Sequence, residues 1–241
     1  MGFGGWAAAA GDLLLGAECP ACRQPGWGLC PPCRRSLLGR TCYRTSPDPC
    51  PAGFPDTATS SPYDAVMQQL VSAHKEHQVL TLTPFLAERL AVAIGCLLEE
   101  GPEIPPSVRV VLVPVPSSPA AVRARGLDAT WAMARRAVGG CPPGRVVGAR
   151  RLLALARRVQ DQAGLGAAAR RENLRGSLRV NGGGLGRGCV AVIVDDVVTT
   201  GSSLTEAHRA LRAARVPVLG AATVAATVRS RTGTPPRPAV G

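Results

Sequence analysis

Apolar and polar positions along this chain repeat with two periods, and the changes of period mark its elements. Val108–Val115 and Val192–Val194 are near-continuous apolar runs rich in β-branched residues, the pattern of parallel strands covered on both faces. Val216–Val228 holds a third such run. Helical spacing lies between them. Tyr63–Lys75 repeats through Val66, Met67, Leu70 and Val71. Thr83-Pro84 has the form of an N-cap and N1 pair opening a helix to about Glu99, with Leu86, Leu90, Ile94 and Leu97 on its core face. The spacing predicts a helix carrying Arg123, Arg125 and Trp131 after the first strand, and another to about Arg215 after the second. Ser203 and Glu206 are three apart, the spacing of a capping box, which puts the start of that last helix at Ser203. Strands alternating with helices predict an α/β fold on a parallel sheet.

The breaks divide the chain. Residues 1–43 hold an apolar helix and a cysteine-rich module. Residues 44–62, rich in Pro, Thr, Ser and Asp, read as a linker. Residues 63–230 form the main domain, and 231–241 a disordered tail. The stretch from Arg157 to Arg175 is basic and lacks proline, and its periodicity leaves helix and loop both open.

With 241 residues and 46% hydrophobic content, the chain can build a substantial core. Uninterrupted apolar runs fall short of a membrane span. The apolar N-terminus lacks a basic lead and is broken by Asp12, so a cytoplasmic location is expected. The net charge is +12, and Lys75 is the only lysine among 28 basic residues. The distribution is uneven. Residues 1–107 carry 7 basic and 10 acidic groups, whereas residues 123–187 carry 14 arginines against Asp128, Asp161 and Glu172. An excess confined to one segment suits a polyanionic ligand, although an arginine-rich composition by itself also makes a solvated face.

Cys19-Pro-Ala-Cys22 and Cys30-Pro-Pro-Cys33 are two C-x-x-C knuckles separated by seven residues. That spacing predicts one tetrahedral Cys₄ site for a structural Zn²⁺, with no open position for catalysis. Cys42 and Cys50 are too loosely spaced to assign, and Cys96, Cys141 and Cys189 read as ordinary thiols.

The most informative stretch is Val192–Leu204, which reads Val-Ile-Val-Asp-Asp-Val-Val-Thr-Thr-Gly-Ser-Ser-Leu. A buried strand leads into two acids, a loop of small residues and a helix start. The loop lets backbone N–H groups approach an anion, and the helix N-terminus favours one by about 0.3–1 kcal/mol at exposed sites. A loop for phosphate alone gains nothing from two carboxylates beside it. A ligand with a phosphate at one end and hydroxyls a few ångströms away does, and ribose 5-phosphate is such a ligand. The stretch resembles the 5-phosphoribosyl-1-pyrophosphate (PRPP) motif of type I phosphoribosyltransferases. The resemblance implies Asp195 and Asp196 on the ribose hydroxyls, as the catalytic acids, and Thr199, Thr200, Gly201, Ser202 and Ser203 around the 5-phosphate. Pro116, Ser117 and Ser118 follow the first strand, where α/β folds place ligands. With Arg123, Arg125 and Lys75 they are the candidates for the pyrophosphate and its Mg²⁺.

The order of the pieces resembles the ComF family, phosphoribosyltransferase-like proteins linked to DNA uptake and utilisation. The matching features are Asp12-Leu-Leu-Leu, both knuckles, Tyr63, Lys75, Pro114-Val115-Pro116, Arg123-x-Arg125-Gly126, Gln162, Arg170, Asn173-Leu174 and Val192–Leu204. The resemblance implies a type I phosphoribosyltransferase-like sheet flanked by helices behind a small zinc module. The family usually reads Arg-Gly-Phe-Asn-Gln where this chain has Arg125-Gly126-Leu127-Asp128-Ala129, so a polar pair is lost there. No Phe, Tyr or Trp follows Trp131, which leaves Tyr63, Phe85 and Trp131 as the aromatics available to an acceptor pocket. Three readings stay open: a phosphoribosyltransferase whose acceptor is unidentified, a non-catalytic adaptor touching single-stranded DNA or DNA-uptake proteins, and a PRPP-responsive regulator.

Overall fold

A computed structural model describes residues 18–39, 42–77, 79–101, 103–156 and 174–227. Six strands form one sheet in the order β1-β2-β8-β7-β3-β4. They are β1 (Tyr43–Thr45), β2 (Thr57–Thr59), β3 (Arg109–Pro114), β4 (Val146–Ala149), β7 (Cys189–Val198) and β8 (Val218–Ala226). All neighbours run parallel except β1 and β2. A separate antiparallel pair joins β5 (Leu153–Leu155) to β6 (Leu178–Val180). The helices are α1 (Pro31–Leu37), α2 (Ala65–Lys75), α3 (Thr83–Glu100), α4 (Pro119–Arg125), α5 (Ala129–Ala137) and α6 (Ser202–Ala213).

The apolar runs form the central strands because both sheet faces are covered. Along β7, Val190, Val192 and Val194 face a core built with Leu86, Leu90 and Ile94 of α3 and Met133 of α5. Ala191 and Ile193 face the opposite core with Leu204, Ala207 and Leu211 of α6. Side chains alternate with period two, so one strand feeds both layers. By length and composition α3, with the turn before it, is apolar enough to cross a membrane. Here it is the main core helix against the sheet, with Phe85, Leu86, Leu90, Ile94 and Leu97 buried. The chain is thus an α/β protein with a mostly parallel sheet flanked by helices and a cysteine module at its front.

Several expectations are corrected. Residues 44–62 are not a linker: β2 completes the parallel sheet beside β8, and Ala58, Thr59 and Ser60 are fully buried. Their small side chains allow this packing although their polarity suggests a loop. Thr83 is not an N-cap. A 3₁₀ turn over Leu80–Leu82 feeds directly into α3, and the Thr83 hydroxyl lies 2.9 Å from His74 Nε2. The single helix expected after β3 is two, because Gly126 takes a left-handed φ of 67° between α4 and α5.

Arg89 is the least foreseen element of the core. It falls on the buried side of α3 and is 2% exposed. Its guanidinium donates to Gly39 O at 2.7 Å and to Ser60 O, joining the end of the cysteine module and the end of β2 to one helix. Arg34 of α1 adds a surface pair with Glu88 at 2.5 Å.

Candidate functional site

Asp195 and Asp196 lie near the C-terminal end of β7, the edge at which parallel α/β sheets bind ligands. The strand does not close at the acids. Asp195 sits opposite Thr223, and the ladder continues through Val197 and Val198. Both acids are therefore held on the sheet, at 9% and 7% exposure. Asp195 accepts a hydrogen bond from the Asp196 backbone N–H at 2.9 Å. Lys75, the last residue of α2, places Nζ 2.7 Å from Asp196 Oδ2. Burial and then the Asp196 charge push Asp195 well above the ordinary carboxylate range. Burial acts on Asp196 in the same direction, but the charge and hydrogen bond of Lys75 outweigh it and hold Asp196 below its usual value. The pair is polarised: Asp195 favours its proton, and Asp196 is ionised against Lys75. Tyr63 stands nearby, its phenol raised by burial and by Asp196. Lys75, a candidate for the pyrophosphate, is paired with Asp196.

The loop after β7 ends at Gly201, whose φ of 71° is left-handed. A Cβ there would come within 2.8 Å of the Phe54 ring and of Pro47 Cγ. Glycine is needed for both conformation and space. Thr200 Oγ1 lies 2.9 Å from Ser202 Oγ. Helix α6 starts at Ser202, with Gly201 as its N-cap, and its first bond runs from Thr205 N–H to Gly201 O at 2.9 Å. The N–H groups of Ser202, Ser203 and Leu204 have no acceptor within the helix, which is the usual basis of an anion site.

The expected capping box is absent. Glu206 turns away from the helix start, accepting from the backbone N–H of Leu178 at 2.9 Å and from Arg209 at 2.7 and 2.8 Å. Arg209 also donates to Leu178 O at 2.9 Å. The edge of β6 offers Glu206 a buried donor and Arg209, one turn on in α6, a charged partner, and these outcompete a solvent-facing cap.

The loop after β3 lies beside the acids because Pro114 is registered with Val194 and Val115 N–H donates to Val194 O at 2.9 Å. Ser118 caps α4 by accepting from Ala121 N–H at 3.1 Å. Ser117 donates to Asp128 at 3.1 Å, and Asp128 caps α5 by accepting from Trp131 N–H at 3.2 Å. Pro116 stands between the strand end and these caps, half-buried. Arg123 is exposed on α4, and Arg125 is that helix's last residue. Gln162, Arg170 and Asn173 fall outside the described residues.

Of the aromatics expected near the site, Phe85 is core, at 1% exposure. Trp131 is half-buried with the Arg151 guanidinium 4.4 Å from its ring centre and Arg135 at 5.9 Å. Phe54, hidden in the supposed linker, is the aromatic that packs on the Gly201 loop. Its sequence neighbourhood of prolines and small residues gives no signal of this.

The four cysteines of the knuckles converge, with their sulfurs all within 4.8 Å of one another. Pro31 and Pro32 open α1 directly after Cys30, so Cys30 and Cys33 share one helical turn. Cys22 and Cys30 sulfurs are 3.7 Å apart. A tetrahedral site with Zn–S of about 2.3 Å has edges of about 3.8 Å. Burial raises Cys19, but N–H groups led by that of Cys30 outweigh it and bring the thiol down to about 6. The crowding of Cys30 and then Cys22 pushes Cys33 up to about 12. These thiols resist sharing negative charge with one another, and a divalent cation relieves that conflict. The cluster can hold a metal such as zinc.

A cavity of about 800 Å³ lies against α6, lined by Ser202, Thr205, His208, Arg209, Arg212 and Arg175 among others. Cys50 lies at its rim, and Cys42 is elsewhere, beside Cys96 and Glu100.

A family model described as a phosphoribosyl transferase domain matches residues 148–238. Comparison with curated proteins finds no match. The matched stretch runs from the end of β4 through β8 and includes the acid pair, the Gly201 loop and α6. It implies a phosphoribosyl ligand such as PRPP; the mostly parallel sheet flanked by helices fits a type I phosphoribosyltransferase-like fold, and the match supports a phosphoribosyl-related function.

Proposed function

We propose that the chain binds PRPP across the C-terminal ends of β7 and β3 and transfers its phosphoribosyl group to an acceptor. The observation that carries this reading is the polarised acid pair, buried on the sheet one turn before an anion-ready helix start. Asp196, ionised against Lys75, accepts from one ribose hydroxyl. Asp195, whose carboxyl is pushed up by burial and by Asp196, takes the other. Thr199–Ser203 take the 5-phosphate. Pro116–Ser118, Arg123 and Arg125 are the candidates for the pyrophosphate, and Mg²⁺ enters with it. The Cys19, Cys22, Cys30 and Cys33 cluster holds Zn²⁺ as a structural ion. The order of motifs supports a ComF-type role in DNA uptake or utilisation in the cytoplasm. The basic flank of α6 is a surface a single-stranded polyanion fits electrostatically.

The alternative is a PRPP-responsive adaptor without turnover. It is favoured by Trp131, whose ring is covered by Arg151 where an acceptor base would stack. Calorimetry with PRPP and Mg²⁺, followed by a pyrophosphate-release screen over nucleobases, amines and oligonucleotides, tests both. Binding with release supports transfer. Binding without release under every acceptor supports the adaptor, and absence of PRPP binding overturns both.

A further inference from the structure

The cysteine that follows the front module does not pair with its sequence neighbour. Cys42, just before β1, has its sulfur within 4.8 Å of Cys96 Sγ and of a Glu100 carboxylate oxygen, and those two are also within 4.8 Å of each other. Cys96 and Glu100 are four apart in α3, so they share one face of the helix. Two ligands at this spacing on a helix, with a third from another element, are a familiar way to hold a tetrahedral cation. Cys96 is 2% exposed, Cys42 is half-buried and Glu100 is exposed, so the cluster runs from the core to the surface and an ion can enter from the Glu100 side.

The surroundings supply counter-charge. Arg89 is near enough for the Cys42 charge to act on its guanidinium. Arg44, two residues after Cys42, approaches Gly101 at the end of α3 and forms an ion pair with Asp56. Its Nη1 is buried without a hydrogen-bond partner.

We propose that Cys42, Cys96 and Glu100 form a second metal site, separate from the four-cysteine cluster, which takes a thiophilic divalent cation of the zinc type and leaves its fourth position to water. Binding replaces two thiol protons with one metal ion: both sulfurs become thiolates, and the protons leave to solvent. The site ties the segment entering β1 to the C-terminal end of α3. Three ligands and one water make it weaker and more exchangeable than a closed Cys₄ site.

The test is Co²⁺ titration of the full chain after metal removal under reducing conditions, followed by sulfur-to-cobalt charge-transfer absorption. Two equivalents are expected, the second adding about half the charge-transfer intensity of the first. Glu100→Gln, a surface change, should weaken the second equivalent at least tenfold and leave the first unchanged. Cys42→Ala should remove the second equivalent alone. A single equivalent in the unaltered chain overturns the proposal. So does a second equivalent that survives both substitutions, because that ion is bound elsewhere.

Discussion

Asp195→Asn should stabilise this protein near neutral pH. Asp195 is 9% exposed, adjoins another carboxylate, and the cation nearby is engaged with Asp196. Asparagine is the closest isostere of the protonated acid: it keeps an oxygen for the Asp196 N–H and offers an N–H₂ where the acid holds its proton. The folded protein holds Asp195 well above the ordinary carboxylate value, with burial as the first cause and the Asp196 charge as the second. A raised acid contributes stability that is fully present below its unfolded pKa and is lost as pH rises through the folded one. The variant has no such loss. Its advantage should be near zero at about pH 4 and grow toward neutrality, reaching about 1–3 kcal/mol, the usual penalty for a buried polar group left short of partners. For a domain of this size that is about 2–4 °C in Tm per kcal/mol. Thermal melts of both proteins across pH 4–8 check it. A variant less stable than the parent at every pH would refute the reasoning, because the acid would then be holding the strand end together.

Other substitutions test separate parts of the structure. Cys22→Ser with Cys30→Ser should remove one zinc per chain and lower stability, measured by metal analysis and melting; full retention of zinc in that protein would sink the Cys₄ assignment. Gly201→Ala should cost about 1–3 kcal/mol because it meets both a left-handed φ and the Phe54 ring, and denaturant unfolding reads this directly. Lys75→Met should raise the pKa of Asp196, since the lysine's charge and hydrogen bond are what hold it down, and carboxylate titration by NMR follows the shift. Glu206→Gln should destabilise by about 1–3 kcal/mol at neutral pH, with the difference shrinking in acid, because Arg209 holds Glu206 below its ordinary value against burial.

The legible parts of the sequence were those where a single strong pattern had no competitor. The apolar runs at 108–115, 192–194 and 216–228 fall in the strands of the sheet centre, 109–114, 189–198 and 218–226, because burial on two faces accommodates them. The knuckle spacing puts four sulfurs together for the same reason. The pattern misleads where long-range partners decide. Thr57–Ser61 looks like a linker because its residues are small and polar, yet the missing edge of β8 captures it as a strand. Ser203 and Glu206 have capping spacing, but the Leu178 backbone and Arg209 take the carboxylate. Arg89 sits in an apolar helix face, and only the Gly39 and Ser60 carbonyls, both far away in sequence, explain it. Phe54 reaches the Gly201 loop through the same unrecognised strand segment.

Burial separates scaffold from site within a few residues of each other. Glu206, 5% exposed, is matched by a backbone N–H and a paired guanidinium, so its charge is stabilised and its pKa falls. Asp195 and Asp196 are buried to a similar degree, but one lysine serves two carboxylates, and Asp195 is driven toward its neutral form. A fold that needed only to be stable would treat both regions as it treats Glu206. The under-compensated pair instead leaves two buried carboxylates sharing one cation, short of counter-charge, beside a helix start whose N–H groups are short of an acceptor. A ligand that brings hydroxyl donors to the acids and a phosphate to the helix meets both demands at once. The two acids should therefore respond to pH with opposite signs: Asp195 stabilises the fold in acid and Glu206 stabilises it above acid. Ligand binding should act on the Asp195 contribution and leave that of Glu206 in place.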